Sequence, residues 1–349
     1  MQTLPDDFFI RADAMTQQPY QVRRAAHTLK SYTHPQWVET WVRLADEQAS
    51  NTVQGLTIKV GFLALACYPR ISDAKRESAF ISLKRSYKAL CELEGASAHY
   101  DTFKVENHVV PYYYRKANST STKPTIIFIR GLDSFKEVRY WDEVSLLNTG
   151  YDIVGIDFPG MGENPLAMTE HADDVFITLM NHIQKRFGSQ TNFIIWGLGF
   201  GGYWALKLGK DSRVKAIINQ GGPVHYSFKP RLKRILFHYS EIRFLKTMIA
   251  QALHHKQPVK RFIDKLSLKN KNVLSQISCP VLYINGQNDK TVSDREIEIL
   301  KHEINPKLLQ VQLLKNAGHL AIDQFDTLMP QVVTWLNDLN IETRVASTA

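Results

Sequence analysis

The 349 residues are 44% hydrophobic and 22% charged and carry a net charge of +9, which allows one large domain with a smaller attachment and excludes a disordered or fibrous chain. Cys67, Cys91 and Cys279 lie far apart without CxxC spacing, which excludes a disulfide framework and a cysteine-held zinc and fits a reducing compartment. No signal peptide, no run of about 18 apolar residues and no internal repeat is read, so a cytoplasmic protein without a membrane role is expected.

Residues 1–98 are predicted to form a helical cap region. Pro35 to Ala49 sets Trp37, Trp41 and Leu44 on one face, and 56–68 is an apolar run, LTIKVGFLALACY. Residues 74–94 repeat Phe80, Leu83, Tyr87, Leu90 and Leu93 at helical spacing, with Gly95 as the stop. The core is expected over 99–345. It begins with two alternating strands, YDTFKVE and VVPYYYRK. Six apolar runs follow: PTIIFIR, DIVGIDF, NFIIWGL, VKAIINQ, PVLYING and LQVQLLK. Separated by helical patterns, they predict an α/β fold whose mostly parallel sheet is covered by helices on both faces. A helical insertion is expected over 223–275. DTLMPQVVTWLNDL reads as a final amphipathic helix.

Ligands in such sheets bind beyond the carboxyl ends of the strands. After NFIIWGL comes the turn Gly197-Leu198-Gly199-Phe200-Gly201, then a helical pattern. This is the setting of the nucleophile elbow, G-x-S-x-G, with glycine at the nucleophile position, 199. After PVLYING comes Asp289, a carboxylate able to fix a histidine tautomer. After LQVQLLK comes His319. The order elbow, acid, histidine is that of the α/β-hydrolases. After PTIIFIR comes GLDSFKE. There the N–H near Leu132, together with that of Phe200, would form an oxyanion hole. Gly131 would let the backbone approach substrate. Asp133 reads equally as a pocket-facing acid or a turn residue. Ser134 is expected to make a local turn bond rather than to attack. The turn DFPGMGE is assigned no chemistry, and the cysteines are read as buried structural thiols.

These segments carry a resemblance. RGLDSFKE, GLGFGGYWAL, GQND and AGHLA are similar to the corresponding loops of α/β-hydrolases with an N-terminal helical cap. That group includes the fermentation–respiration switch proteins, dihydroxypseudooxynicotine hydrolase and polyketide-shortening hydrolases. The likeness covers most of residues 100–340. It implies cofactor-free cleavage of esters or of C–C bonds beside carbonyls, with no metal. Position by position it implies Asp289 as triad acid, His319 as base, Leu132 and Phe200 as oxyanion donors and Asp133 as a substrate contact. Gly199 departs from it.

Glycine has no attacking oxygen, and three readings remain open. His319 and Asp289 act as a general-base pair on water or substrate; the chain is an inactive binding or regulatory protein; or it is a nucleophile-less variant of a serine hydrolase. The first is taken as the expectation, with a small-molecule carbonyl substrate. Trp37, Trp41, Tyr112 and Tyr113 suit an aromatic or polyketide-like one, although such residues also fill cores. From Lys229 to Lys271 the chain has twelve basic residues against Glu241 and Asp264. This segment is either a solvated face or a dock for an acidic carrier protein. No nucleic-acid motif accompanies it, and a homodimer is allowed.

Overall fold

Strand-forming runs and helical runs alternate along the chain, and the structure, a computed structural model, places them accordingly. It describes residues 4, 6–68, 72–117, 123–132, 134–138, 143–229, 239–339 and 341, with the backbone alone for 6, 7 and 239–245. Among the described residues, eight strands form one sheet: β1 (His99–Val105), β2 (His108–Arg115), β3 (Thr125–Ile129), β4 (Ile153–Ile156), β5 (Phe193–Leu198), β6 (Val214–Gln220), β7 (Val281–Gly286) and β8 (Leu309–Leu314). Their order is β1-β2-β4-β3-β5-β6-β7-β8. β1 and β2 pair antiparallel with each other, and β2 pairs antiparallel with β4. From β4 to β8 every pairing is parallel. All eight predicted strands are present.

The central strands are apolar throughout because both their faces are covered. Successive residues go to opposite faces. Ile126, Phe128, Ile194, Trp196, Leu282 and Ile284 share one core with five N-terminal helices. These are α1 (Asp6–Thr16), α2 (Pro19–Leu29), α3 (Trp37–Asp46), α4 (Val53–Cys67) and α5 (Ala74–Leu93). The same face carries α6 (Glu143–Asn148) and, at the end of the chain, α12 (Phe325–Asp338). Ile127, Ile129, Ile195, Ile217 and Val281 face the other core. That core takes side chains from α7 (Asp173–Phe187), α8 (Phe200–Leu208), α9 (Tyr239–Ala252), α10 (Val259–Lys265) and α11 (Glu296–Glu303).

The apolar run 56–68 belongs to α4. It has no polar face because it runs buried through the cap, and this is why its sequence shows no helical stripe. Thr52 caps its first turn by accepting the Gly55 N–H at 3.0 Å. Trp37 and Trp41 stack edge-on inside the same bundle, and the Trp37 indole N–H donates to the Leu65 carbonyl at 2.8 Å. Trp37, Trp41, Tyr112 and Tyr113 are all fully buried, so these four fill the core and line no substrate surface. Among the described residues no helix is long and apolar enough to cross a membrane.

Candidate active site

The parallel strands all end at one edge of the sheet, and the loops leaving β5, β7, β8 and β3 meet there. β5 passes into α8 through Gly199, whose φ of +51° and ψ of −122° are open to glycine and strained for other residues. The elbow backbone therefore has the sharp form expected of a nucleophile turn. A Cβ built on Gly199 would lie 3.6 Å from His319 Nε2 and 3.9 Å from Leu320 Cδ2, which is ordinary contact distance. The fold thus keeps room at 199 for a side chain facing the imidazole.

Asp289 lies on the loop after β7. Its Oδ1 accepts the backbone N–H groups of Thr291 at 2.6 Å and Val292 at 3.0 Å. Its Oδ2 accepts from Asn285 Nδ2 at 2.7 Å and pairs with His319 Nδ1 at 2.8 Å. Burial acts to raise this carboxyl, but the His319 charge and hydrogen bond, with the Val292 and Asn285 donors, hold it below the usual aspartate value. An ionised carboxylate only accepts hydrogen bonds, so Nδ1 carries a proton and the other ring nitrogen, Nε2, faces position 199. The Asp289 side chain is 2% exposed and that of His319 12%, so the acid is sealed while the base keeps an open edge.

Two polar residues that the sequence reading passed over hold the histidine loop. Asn285 uses its amide nitrogen on Asp289 and its oxygen on the Leu320 N–H, at 3.1 Å. Gln220 donates to the Leu320 carbonyl at 2.7 Å and accepts from the Trp196 indole at 2.9 Å. Between these grips Leu320 and Ala321 take left-handed φ values of +65° and +52°, a strain held by the surroundings. The signal for both residues was a polar side chain inside a fully buried strand end, which must find a partner. On the cap side α1 reaches the same loop: a Cβ on Gly318 would come within 3.2 Å of Ile10 Cδ1.

The oxyanion candidates flank the elbow. Ile129 and Gly197 are partners across β3 and β5, so Leu132 and Phe200 each lie three residues beyond that pair. Phe200 opens α8, where the first N–H groups have no acceptor within the helix. Its ring meets Phe158 at 5.6 Å, Tyr203 at 5.9 Å and Phe228 at 6.2 Å. Gly131 and Leu132 are buried on the loop after β3, and Asp133 lies outside the described residues. The turn bond expected of Ser134 is not formed; its buried Oγ has no hydrogen-bond partner among the described residues. The cysteines are buried as expected, and burial pushes the Cys279 thiol up to about 12, far from a working nucleophile.

No family model matches the chain. It is 25% identical over 277 residues to the 2,6-dihydropseudooxynicotine hydrolase of Paenarthrobacter nicotinovorans, across 73% of this chain and 71% of that one. It is 22% identical over 232 residues to the esterase FrsA of Vibrio cholerae, across 59% of this chain and 56% of that one. Among solved structures, wild-type AbyA5 superposes with a TM-score of 0.78 at 16% identity, covering 96% of this chain and 95% of its own. The 2,6-dihydroxy-pseudo-oxynicotine hydrolase superposes with a TM-score of 0.75 at 17% identity, covering 98% and 99%.

Proposed function

We propose that this chain, which has the α/β-hydrolase fold, is a cofactor-free cytoplasmic hydrolase of that superfamily that cleaves a carbonyl compound with the His319–Asp289 pair as general base and no serine nucleophile. The observation that carries the reading is an assembled pair, 2.8 Å apart, whose free nitrogen faces a glycine on an otherwise complete elbow. In this reading His319 Nε2 takes a proton from water as the water oxygen bonds to the carbonyl carbon. The N–H groups of Phe200 and Leu132 take up the resulting oxyanion. The tetrahedral carbon then expels an alkoxide from an ester or, from a β-diketone, the enolate of the remaining ketone as the C–C bond breaks, and the imidazolium returns its proton to that leaving group. General-base assistance supplies about 10²- to 10⁴-fold, and the oxyanion donors add to it. The names of the similar proteins, hydrolase and esterase, support hydrolysis. The half-buried ring of Phe228, packed against Phe200 at the elbow, supports an apolar substrate.

The test sets three proteins side by side on an aryl ester and an aromatic β-diketone: this chain, His319→Ala and Gly199→Ser. Turnover by the unchanged chain, lost by about 10²-fold or more in His319→Ala, is the expected result. Turnover by Gly199→Ser alone would make the chain as it stands a binding protein on hydrolase machinery, and the proposal would fall.

A further inference from the structure

The oxyanion loop is held at both ends by buried charge, and that charge leads into the cap. Asp157, the first residue after β4, is fully buried. Its Oδ1 accepts the Lys136 backbone N–H at 2.7 Å, and its Oδ2 accepts Lys136 Nζ at 2.9 Å and the Glu163 N–H at 3.1 Å. Lys136 Nζ also meets Glu163 Oε2 at 2.6 Å and Glu137 Oε1 at 3.1 Å, so one ammonium, with three donors, serves three carboxylates. The Lys136 carbonyl accepts from Arg130 Nη2 at 2.9 Å, which ties the start of the loop to its end around Leu132. Two residues of α5, three positions apart on one helix face, reach this assembly. Lys84 Nζ meets Glu163 Oε1 at 2.7 Å. The Tyr87 hydroxyl donates to Glu143 Oε2 at 2.8 Å, and the other oxygen of Glu143 lies 3.9 Å from Arg130 Nη2.

Such a cluster is poorly explained by stability. Stripping water from a buried ion costs several kcal/mol, and an apolar cluster of equal volume is often as stable or more so. What it supplies is geometry. The carboxylate of Asp157 fixes both the main chain and the side chain of Lys136, and an error of about 1 Å in a catalytic donor costs up to about 100-fold in rate. We propose that Lys136 and Asp157 are positioning residues for the oxyanion loop and that cap helix α5 sets this loop through Lys84–Glu163 and Tyr87–Glu143. The cap then acts on the chemical step. This rests on the placement of Leu132 in the oxyanion hole proposed above. Burial, with the charges of Asp157 and Glu163, raises the Glu137 carboxyl, and the Lys136 ammonium opposes that shift.

The direct test cuts the relay at its cap end, where Lys84 is 29% exposed and Tyr87→Phe keeps the buried ring and removes only the hydroxyl. Lys84→Met and Tyr87→Phe are each expected to lower kcat by about 3- to 10-fold with KM within about 2-fold, since only transition-state binding is lost. Lys84→Arg is expected to recover kcat. Lys75→Met, also on α5, breaks an exposed pair with Glu39 of α3, away from the loop, and is expected to leave kcat unchanged. Lys136→Met is the severe case and is read only if it folds. If the unchanged chain turns over no substrate, the reading under Proposed function fails, and the same comparison is made in the Gly199→Ser background. There the rate of labelling by an aryl fluorophosphonate, in which a P–O bond to the introduced hydroxyl replaces P–F, replaces kcat. Unchanged rates in Lys84→Met and Tyr87→Phe, an equal loss in Lys75→Met, or no labelling in any Gly199→Ser protein would each overturn the inference.

Discussion

At residue 199 the chain has the backbone form of a nucleophile turn and a glycine in place of a side chain. The φ of +51° is easy for glycine, so the elbow is retained here without the cost of about 1–3 kcal/mol that another residue pays. The acid beside it makes a prediction of its own. Asp289 is held below the ordinary aspartate value by His319 and by its backbone and Asn285 donors. A lowered carboxyl contributes stability above its unfolded value of about 3.9, and that stability disappears as pH falls through the lower folded value. Urea unfolding of Asp289→Asn is therefore expected to show a flatter loss of stability below about pH 4 than the unchanged chain. The same acid limb in both proteins would contradict the assignment. Gly199, Asp289 and His319 were legible because each stands just past an apolar run. Asn285, Gln220 and Lys136 were not, since their roles depend on which loops the fold brings beside them.

The strands were legible for a simple physical reason: a buried parallel strand must be apolar on both faces, and the turns that follow carry glycine or charge. Helix α4 was less so, because burial on every side erases its stripe. The left-handed pair Leu320–Ala321 left no trace at all, since neither residue type favours that conformation. The junction of β5 and α8 carries the element-scale prediction. A Cβ on Gly201 would lie 2.1 Å from the Ile129 carbonyl and 2.8 Å from that of Arg130, and neither backbone oxygen can yield cheaply. Gly201→Ala is expected to destabilise the fold by about 1–3 kcal/mol and to disturb Leu132 through the end of β3. Denaturant unfolding checks the first and the aryl-ester rate the second; a neutral Gly201→Ala would show that this contact does not hold the elbow against the oxyanion loop.

For the whole molecule, cap and sheet share one continuous core, so the helices before β1 are part of the frame that holds the histidine and oxyanion loops. The basic segment lies on the opposite layer. Lys246, Lys256, Lys260, Arg261 and Lys271 are exposed there, whereas Arg231, Lys233 and Arg234 lie outside the described residues. As the proposed dock for an acidic carrier protein, this surface predicts that salt weakens cleavage of a carrier-linked substrate several-fold between about 0.05 and 0.5 M and spares a free one; equal salt response in both would remove the carrier from the account. The central claim, base catalysis without a serine, is tested most directly by intact-mass analysis of the unchanged chain quenched during turnover of an aryl ester. The account predicts product with the protein mass unchanged, and an acyl adduct in Gly199→Ser. An acyl adduct on the unchanged chain would mean that another residue attacks, and absence of product would mean that the pair alone is not enough.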